Sequence, residues 1–370
     1  MSEPAAPGRV GRIVDVESLA EFDELVAGGA RRMVGWRMRG VDLRRRTAAL
    51  LALDPAGALL LGCHLTAPAE EHLRRHGAVL FPELPALPVD AYRSALYTAD
   101  ELYAGLEHGY PATLDGRAYA WSQMPGVRPD DAVAQALHDA AVEEALDDLV
   151  TGRRVVGVMG GHGVERGTSA YRQAAELGRA LARDGALVAT GGGPGSMEAV
   201  NLGAALAGQP DAALEEAVAA LAAVPSFRPS IERWATVALA VRSRWPGDGG
   251  LGVPTWTYGH EPPNVFAGSI AKYFQNSVRE ATLLRRCVGG IAYLPGAAGT
   301  VQELFQDACE NYYAEPPMVA PMVLVGADHW TTDVPAWPLL EAIARGRDMA
   351  SRTHLANTVA DAARLLRGDH

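Results

Sequence analysis

The sequence predicts an α/β protein whose parallel sheet carries helices on both faces, a doubly wound fold. From about residue 155 onward, short apolar segments alternate with longer segments of helical periodicity. Two apolar segments run into glycine-rich stretches that open a helix, at 191–198 and 295–303. The chain has 370 residues, which exceeds the usual size of one hydrophobic core, so a second domain is expected.

The strands of the main domain are predicted from runs of apolar and β-branched residues. They span 155–159, 186–190, 252–258, 291–294 and 321–326. One helix is predicted over 171–182, and another over 269–285, where Ile270, Phe274 and Val278 recur at helical spacing. Right-handed crossovers place the carboxyl ends of these strands along one edge, where ligands bind in such sheets.

Two further regions flank this pattern. A helical insertion at about 207–250 carries apolar stripes, which predict a subunit interface or, alternatively, a lid. Residues 1–151 are predicted to form an accessory domain of unknown role, with the main domain at 152–370. The accessory domain shows short apolar segments, helical stretches near 92–106 and 130–149, and a hint of a short β repeat at 39–43 and 61–65.

Composition excludes several functional classes. A net charge of −11 argues against a nucleic-acid partner, which would need a basic stripe. The three cysteines, Cys63, Cys287 and Cys309, have the spacing of neither a zinc motif nor a disulfide framework. The first residues do not read as a signal peptide, and no apolar run is long enough to span a bilayer. We therefore expect a cytoplasmic protein with no metal and no membrane partner.

The two glycine-rich stretches predict an anion site. Glycine at a strand-to-helix junction allows close approach of a ligand to the backbone, and the first helical N–H groups bind anions. Each helix also carries a carboxylate in its first turns, Glu198 and Glu303. The segment from Thr300 to Glu303 fits a capping box, but Glu303 can equally lie at the sheet edge, holding ribose hydroxyls or stabilising positive charge at an anomeric carbon.

Other polar residues are open to two interpretations. Lys272, the only lysine among 33 Lys and Arg residues, shares the polar face of the predicted helix with Asn276 and Arg279. That face is either solvated or functional. His260 and Glu261 follow the third strand and form either an acid–base pair or an exposed turn. His162, in the loop after the first strand, contacts a phosphate or base, or is only a tolerated loop residue.

Two cofactor-dependent classes find less support. In the first glycine stretch Ser196 stands where a dinucleotide-binding motif needs its third glycine, so an NAD-dependent oxidoreductase rests on the glycine loops alone. No P-loop lysine follows either stretch, and a Schiff-base lysine for pyridoxal phosphate would have to be Lys272.

Three features together resemble the LONELY GUY (LOG) family: the segment 191–201, Arg279 and the segment 295–303. The resemblance covers about 155–330. It implies a Rossmann-like sheet, a homodimer or larger assembly, and no cofactor. It also implies hydrolysis of the N-glycosidic bond of a nucleoside 5′-monophosphate, which releases free base and ribose 5-phosphate.

By position, the resemblance assigns catalysis to Arg279 and Glu303. Ala297 and Glu280 depart from the family pattern, which has a glycine and a basic residue there. These departures keep a non-catalytic nucleotide-binding regulator as the alternative. The expected substrate-binding residues are Gly160, His162, Gly191, Gly192, Gly193, Gly195, Glu198, His260, Glu261, Asn264, Lys272, Asn276, Gly296, Gly299 and Thr300. Of these, Gly191–Gly193, Gly296, Gly299 and Thr300 would cradle the 5′-phosphate, and Glu198 would lie near the ribose.

Overall fold

The computed structural model describes residues 13–84, 87–125, 128–257 and 261–368. The chain divides into two compact units, one ending at Arg93 and the other beginning at Ser94. Residues 94–151 therefore join the larger unit, in contrast to the predicted boundary at 151. Hydrogen bonds explain this assignment, because the backbone of Tyr97 pairs with that of Ile270 and the Asp139 carboxylate accepts the N–H of Phe274.

The smaller unit is a four-stranded parallel sheet with strands in chain order. Its strands are β1 (Val14–Val16), β2 (Trp36–Arg39), β3 (Leu59–Leu61) and β4 (Val79–Phe81), and its helices are α1 (Leu19–Ala27), α2 (Thr47–Leu51) and α3 (Ala67–Arg75). Arg39 pairs with Leu61, and Asp42 pairs with His64. The two segments that hint at a β repeat thus lie side by side in register.

The larger unit contains a seven-stranded parallel sheet in the order β11-β10-β9-β5-β6-β7-β8. The strands are β5 (Val155–Met159), β6 (Leu187–Thr190), β7 (Leu251–Gly252), β8 (Ser269–Ile270), β9 (Ile291–Tyr293), β10 (Met322–Val325) and β11 (Thr353–Ala356). This architecture confirms the predicted α/β class. Strand β7 is shorter than predicted, and β8 and β11 are additional strands.

The helices of this unit cover both faces of the sheet. They are α4 (Ala99–Leu102), α5 (Leu114–Ser122), α6 (Pro129–Val150), α7 (Ser169–Arg183), α8 (Ser196–Ala205), α9 (Asp211–Leu221), α10 (Ile231–Arg244), α11 (Asn276–Arg286), α12 (Ala298–Tyr313), α13 (Trp337–Ala344) and α14 (Val359–Arg367). The helix predicted over 92–106 is reduced to α4 and a short 3-10 turn. No helix in the described part of the chain is long and apolar enough to cross a bilayer.

The order of the strands indicates where on the sheet a ligand would bind. From β5 the chain moves through β6 and β7 to β8, and it then returns to β9 on the other side of β5. The winding direction therefore reverses between β5 and β9. In open α/β sheets, ligands bind outside the carboxyl ends of the strands at such a reversal.

Helix α11 begins later than predicted. Ile270 is part of β8 and exchanges two backbone hydrogen bonds with Tyr97, at 2.8 and 2.9 Å. A further bridge joins Tyr273 to Thr255. The recurrence of Ile270 and Phe274 therefore does not mark a helix, and Lys272 does not lie on a helix face.

The insertion forms α9 and α10, as its periodicity predicts. The apolar stripe of α9, Leu214, Val218 and Leu221, is buried within the unit, and so is Trp234 of α10. These residues find their partners in the same chain. Burial of these four residues therefore does not require a second subunit, and the subunit interface stays a prediction.

Helices α7 and α8 pack with almost no separation between their backbones. A methyl group at Gly203 would lie 1.8 Å from the Ala175 carbonyl oxygen, and one at Gly178 would lie 2.1 Å from that of Val200. The contact therefore needs glycine on both helices. This pairing fixes the helix that follows the first glycine stretch.

Gly203→Ala is expected to destabilise the protein by about 3 kcal/mol, because the backbone carbonyl of Ala175 cannot yield to a methyl group. Gly208→Ala is the matched control, since a methyl there meets nothing within 4 Å, and we expect a change of about 0.5 kcal/mol or less. Urea unfolding measures both. Equal stability of the two variants would contradict the close packing.

Candidate functional site

The two glycine-rich stretches meet at the loop after β5. The Gly161 N–H donates to the Pro295 carbonyl oxygen at 3.2 Å, and the Ser196 N–H donates to the Gly161 carbonyl oxygen at 3.1 Å. Gly195 has a φ of 72°, and a methyl group there would lie 2.6 Å from the carbonyl oxygens of Gly161 and His162. The structure therefore brings both stretches together at the sheet edge.

The two helix N-termini differ in their exposure. Residues 191–196 are buried, and the first N–H of α8, at Ser196, is already bonded to Gly161. Residues 297–299 are exposed, and a methyl group at Gly299 would meet nothing within 4 Å. The N-terminus of α12 is therefore open to an anion, whereas the first glycine stretch is a buried support.

Other predicted glycines are positions of tight packing. Methyl groups at Gly160, Gly192 and Gly296 would lie 2.9 Å from Ser196 Cβ, 2.6 Å from Pro254 Cδ and 2.2 Å from Thr300 Oγ1, respectively. Ala297 has a φ of −113°, so its methyl group is accommodated without backbone strain. The departure from glycine at this position therefore leaves the turn intact.

The capping-box interpretation of α12 is wrong. The helix begins at Ala298, and its N-cap residue, Ala297, makes no side-chain cap. Thr300 therefore lies within the first turn, where it is buried. Glu303 lies one turn further along, too far from the N-cap to bond its N–H, and its carboxylate faces an arginine instead.

That arginine is Arg279 of α11. Its Nη1 donates to Glu303 Oε1 at 2.9 Å, and its Nε donates to the Val253 carbonyl oxygen at 2.6 Å. A methyl group at Gly191 would lie 2.4 Å from Nη2. The two charged side chains are only 10% and 12% exposed. Three contacts thus hold the guanidinium between the first glycine stretch and α12.

The environment of Glu303 shifts its pKa upward. Burial is the largest cause, because it penalises the carboxylate form. Arg279 lowers the pKa, whereas the nearby charges of Glu280 and Glu261 raise it. Burial prevails, so the pKa of Glu303 lies above its usual value of 4.5.

Glu198 lies away from this pair. It is fully buried, and both its carboxylate oxygens accept from Arg166, with Nε at 2.9 Å from Oε2. Arg166 also donates to the Trp234 carbonyl oxygen at 3.1 Å. The ion pair occupies the carboxylate, so the ribose contact implied for Glu198 has no support in this geometry.

Asn264 holds the first glycine stretch in place. Its backbone N–H donates to the Gly192 carbonyl oxygen at 2.8 Å, and its Nδ2 donates to that of Gly193 at 3.2 Å. Nδ2 also donates to Asn201 Oδ1 at 3.0 Å, which accepts from Thr190 Oγ1 at 2.8 Å as well. Asn264 is therefore a buried residue whose hydrogen bonds hold the first glycine stretch.

His162 and Glu261 lie at the same edge. His162 Nδ1 is 3.2 Å from Glu261 Oε1, and a methyl group at Gly193 would lie 3.3 Å from Glu261 Oε2. The sequence suggests pairing Glu261 with His260, which lies outside the described residues. In the described residues, the partner of Glu261 comes instead from the loop after β5.

Lys272 is a structural residue. Its Nζ lies 2.5 Å from Asp115 Oδ1 and 5.0 Å from the ring centre of Trp256, and both charged side chains are 1% exposed. Burial lowers the pKa of Lys272, and Asp115 opposes that change. The solvated-face interpretation is therefore wrong, and the ammonium is occupied by an ion pair.

Glu280 is held by amides. Asn276 Nδ2 donates to Glu280 Oε1 and Gln302 Nε2 donates to Glu280 Oε2, both at 2.6 Å. The described hydrogen bonds of Glu280 thus come from amides, and in the described hydrogen bonds of Arg279 the charged partner is Glu303. Asn276 lies at the start of α11, where it supports this amide–carboxylate chain.

Two supporting residues are not indicated by any local sequence pattern. His329 Nε2 lies 3.1 Å from the Gly296 carbonyl oxygen and thus supports the second glycine stretch. Asp115 binds Lys272 from α5. Both partners are distant in sequence, so local patterns cannot identify them. Among the described residues, no group of three or more histidine, cysteine, aspartate or glutamate side chains is arranged to hold a metal ion.

Comparison with known proteins supports the resemblance seen in the motifs. Residues 153–209 match the model of the SLOG cluster4 family, which belongs to the wider group that includes LOG-like proteins. The matched segment contains β5, α7, β6, the first glycine stretch and α8. The resemblance is thus confirmed over this part of the sheet edge.

Solved structures of low similarity also match. The molybdenum cofactor carrier protein from Chlamydomonas reinhardtii is 17% identical with a TM-score of 0.37, and the match covers 58% of this chain and 97% of that chain. The molybdenum cofactor binding protein from Rippkaea orientalis is 14% identical with a TM-score of 0.38, covering 58% and 96%. No curated protein matches the chain significantly.

Proposed function

We propose that the protein hydrolyses the N-glycosidic bond of a nucleoside 5′-monophosphate, releasing free base and ribose 5-phosphate. The observation that carries this proposal is the Arg279–Glu303 ion pair, 2.9 Å long, between the two glycine stretches. The pair lies beside the point where the winding of the sheet reverses, which is the usual ligand-binding place in such folds.

The N-terminus of α12 is suited to hold the 5′-phosphate. The first N–H groups of a helix have no partner within it, and the helix dipole adds positive potential there. Residues 297–299 are exposed, with open space in front of Gly299. These local donors can bind an anion despite the net charge of −11.

Glu303 is suited to the chemical step. Breaking an N-glycosidic bond builds positive charge on the ribose, which a fixed carboxylate stabilises. Arg279 fixes that carboxylate, because the guanidinium is itself held by the Val253 carbonyl oxygen. Phosphate binding at α12 would then supply remote binding energy that supports distortion at the reacting carbon.

The direct test is product analysis. Purified protein is incubated with AMP, GMP, CMP, UMP and a prenylated AMP, and free base and ribose 5-phosphate are quantified by chromatography. We expect at least one nucleotide to yield both products in equal amounts. Absence of free base with every nucleotide would refute the catalytic proposal.

Gly299→Ala tests the phosphate site. We expect KM for the nucleotide to rise about tenfold, because the methyl group projects into the open space before the donors. Stability should increase slightly, since alanine favours the helix. Gly208→Ala is the control with an unchanged KM. An unchanged KM for Gly299→Ala would place the phosphate elsewhere.

The raised pKa of Glu303 predicts the pH dependence. Catalysis needs the carboxylate, so kcat/KM should fall as the pH falls through a pKa above 4.5. Stability should change in the opposite direction: a raised pKa favours the folded state at low pH, and this contribution is lost as pH rises through the folded-state pKa. Rates between pH 4 and pH 8 test this, and a profile flat down to pH 4 would contradict it.

A nucleotide-binding protein without turnover is the second candidate. The burial of residues 191–196 favours it, because only the α12 side of the predicted cradle is open. Calorimetry distinguishes the two candidates. Tight binding of a nucleotide with no release of base would support the second candidate over the first.

A further inference from the structure

A second ionisable pair lies near Arg279 and Glu303 at the sheet edge. His162 follows β5, and Glu261 lies between β7 and β8. Nδ1 of the histidine is 3.2 Å from Oε1 of the glutamate. The other carboxylate oxygen lies against the first glycine stretch, 3.3 Å from where a methyl group at Gly193 would be.

The first glycine stretch connects the two pairs. Gly191 abuts the guanidinium of Arg279, and Gly193 abuts the carboxylate of Glu261. Two residues of chain span at most about 7 Å, so the pairs lie within the reach of one nucleoside. The charge of Glu261 is also among those that act on Glu303. One pair thus lies at each end of the same short backbone segment.

The two pairs differ in exposure in a way that suits different tasks. Arg279 and Glu303 are about nine-tenths buried, whereas the His162 side chain is 63% exposed and that of Glu261 is 34% exposed. Since Nδ1 lies 3.2 Å from the carboxylate, Nε2 lies on the opposite side of the ring. A protonated ring at this position can therefore donate from Nε2 to a bound ligand and regain its proton from solvent.

We propose that His162 is the general acid for the departing base and that Glu261 positions it. This inference rests on the proposed N-glycosidase function. The bond between C1′ and the base nitrogen breaks, and its electron pair stays on the base. His162 Nε2–H gives its proton to a ring nitrogen of the base. Water forms the new bond to C1′ and releases one proton to solvent, from which His162 is reprotonated.

The leaving group provides a direct test. Adenine must gain a proton as it leaves AMP, whereas nicotinamide leaves nicotinamide mononucleotide as a neutral molecule without protonation. We therefore expect His162→Gln to lower kcat with AMP by about 10²-fold or more and kcat with nicotinamide mononucleotide by less than about threefold. Equal losses with both substrates, or no loss with AMP, would overturn the assignment.

His108 provides the matched control. It is an exposed histidine whose Nε2 lies 3.5 Å from the Glu107 carboxylate, and it follows α4 in a short turn. His108→Gln should leave both rates unchanged. A change as large as that of His162→Gln would show that loss of an exposed histidine acts through general destabilisation.

A second measurement does not depend on whether nicotinamide mononucleotide is accepted. His162→Gly removes the ring, and added imidazole is expected to restore part of the lost rate with AMP. Failure of imidazole to raise the rate would contradict the acid role.

For Glu261→Ala we expect a smaller loss of rate than for His162→Gln, again confined to AMP, since misplacement of the His162 ring affects only the step that needs a proton. An equal loss of rate with both substrates would instead show that Glu261 stabilises the fold and does not position His162.

The two hypotheses fail separately. If the wild-type protein releases base from no nucleotide, the proposed function itself is wrong. If the wild-type protein is active and His162→Gln retains the wild-type rate with AMP, only the assignment of His162 is wrong.

Discussion

Replacing Glu303 with glutamine is expected to lower kcat for nucleotide hydrolysis by about 10²–10³-fold. The amide keeps an oxygen that can accept from Arg279 Nη1, which now lies 2.9 Å from the carboxylate. It removes the negative charge that stabilises the developing cation on the ribose. Steady-state rates with the best nucleotide measure the loss, and the melting temperature shows whether the fold is retained.

Glu310→Gln is the matched control for this variant. Glu310 lies on the same helix, α12, and is partly buried. Its replacement removes the same charge from the same helix, so we expect a rate close to that of the wild-type protein. If Glu303→Gln retains full activity, the Arg279–Glu303 pair is structural and the proposed mechanism is wrong.

Replacing Arg166 with methionine is expected to destabilise the protein by about 3–5 kcal/mol. The change leaves the Glu198 carboxylate fully buried without the guanidinium that now binds both its oxygens. It also removes the stacking of the guanidinium on Trp234, whose ring centre is 4.6 Å away. Chemical denaturation measures the loss, which is expected to appear as a lower midpoint.

Arg172 on α7 offers the control. Its ion pair with Glu215 is 2.6 Å long, but the two side chains are 46% and 52% exposed. Arg172→Met should therefore cost about 1 kcal/mol or less, because solvent screens an exposed pair. The double replacement of Arg166 and Glu198 by methionine should be less harmful than Arg166→Met alone. A worse double variant would contradict the account of an unpaired buried charge.

Local patterns in the sequence predict much of the main sheet. Strands β5, β6, β9 and β10 are buried on both faces, so each appears as an uninterrupted apolar run. The glycine stretches follow two of these strands because the chain needs close backbone approach there. The motif resemblance assigns catalysis to both Arg279 and Glu303, and the structure brings the two side chains together.

The errors arise where distant residues decide the local structure. Ile270 has helical spacing with Phe274, but hydrogen bonds to Tyr97 place it in a strand. Lys272 looks like a surface cation until Asp115, far away in the chain, is brought against it. Glu198 is likewise bound in an ion pair by Arg166, which lies in another loop. No periodicity or spacing encodes such pairings, so the boundary at 151 and the role of Lys272 both required the three-dimensional structure.

The burial of Lys272 gives the protein a built-in reporter of its own unfolding. It is the only lysine in the chain, and its ammonium is enclosed by Asp115 and Trp256. Acylating reagents and lysine-specific proteases can reach this side chain only after the enclosure opens. Labelling of residue 272 by an amine-directed reagent therefore reports the opening of the enclosure formed by Asp115 and Trp256, without any engineered probe.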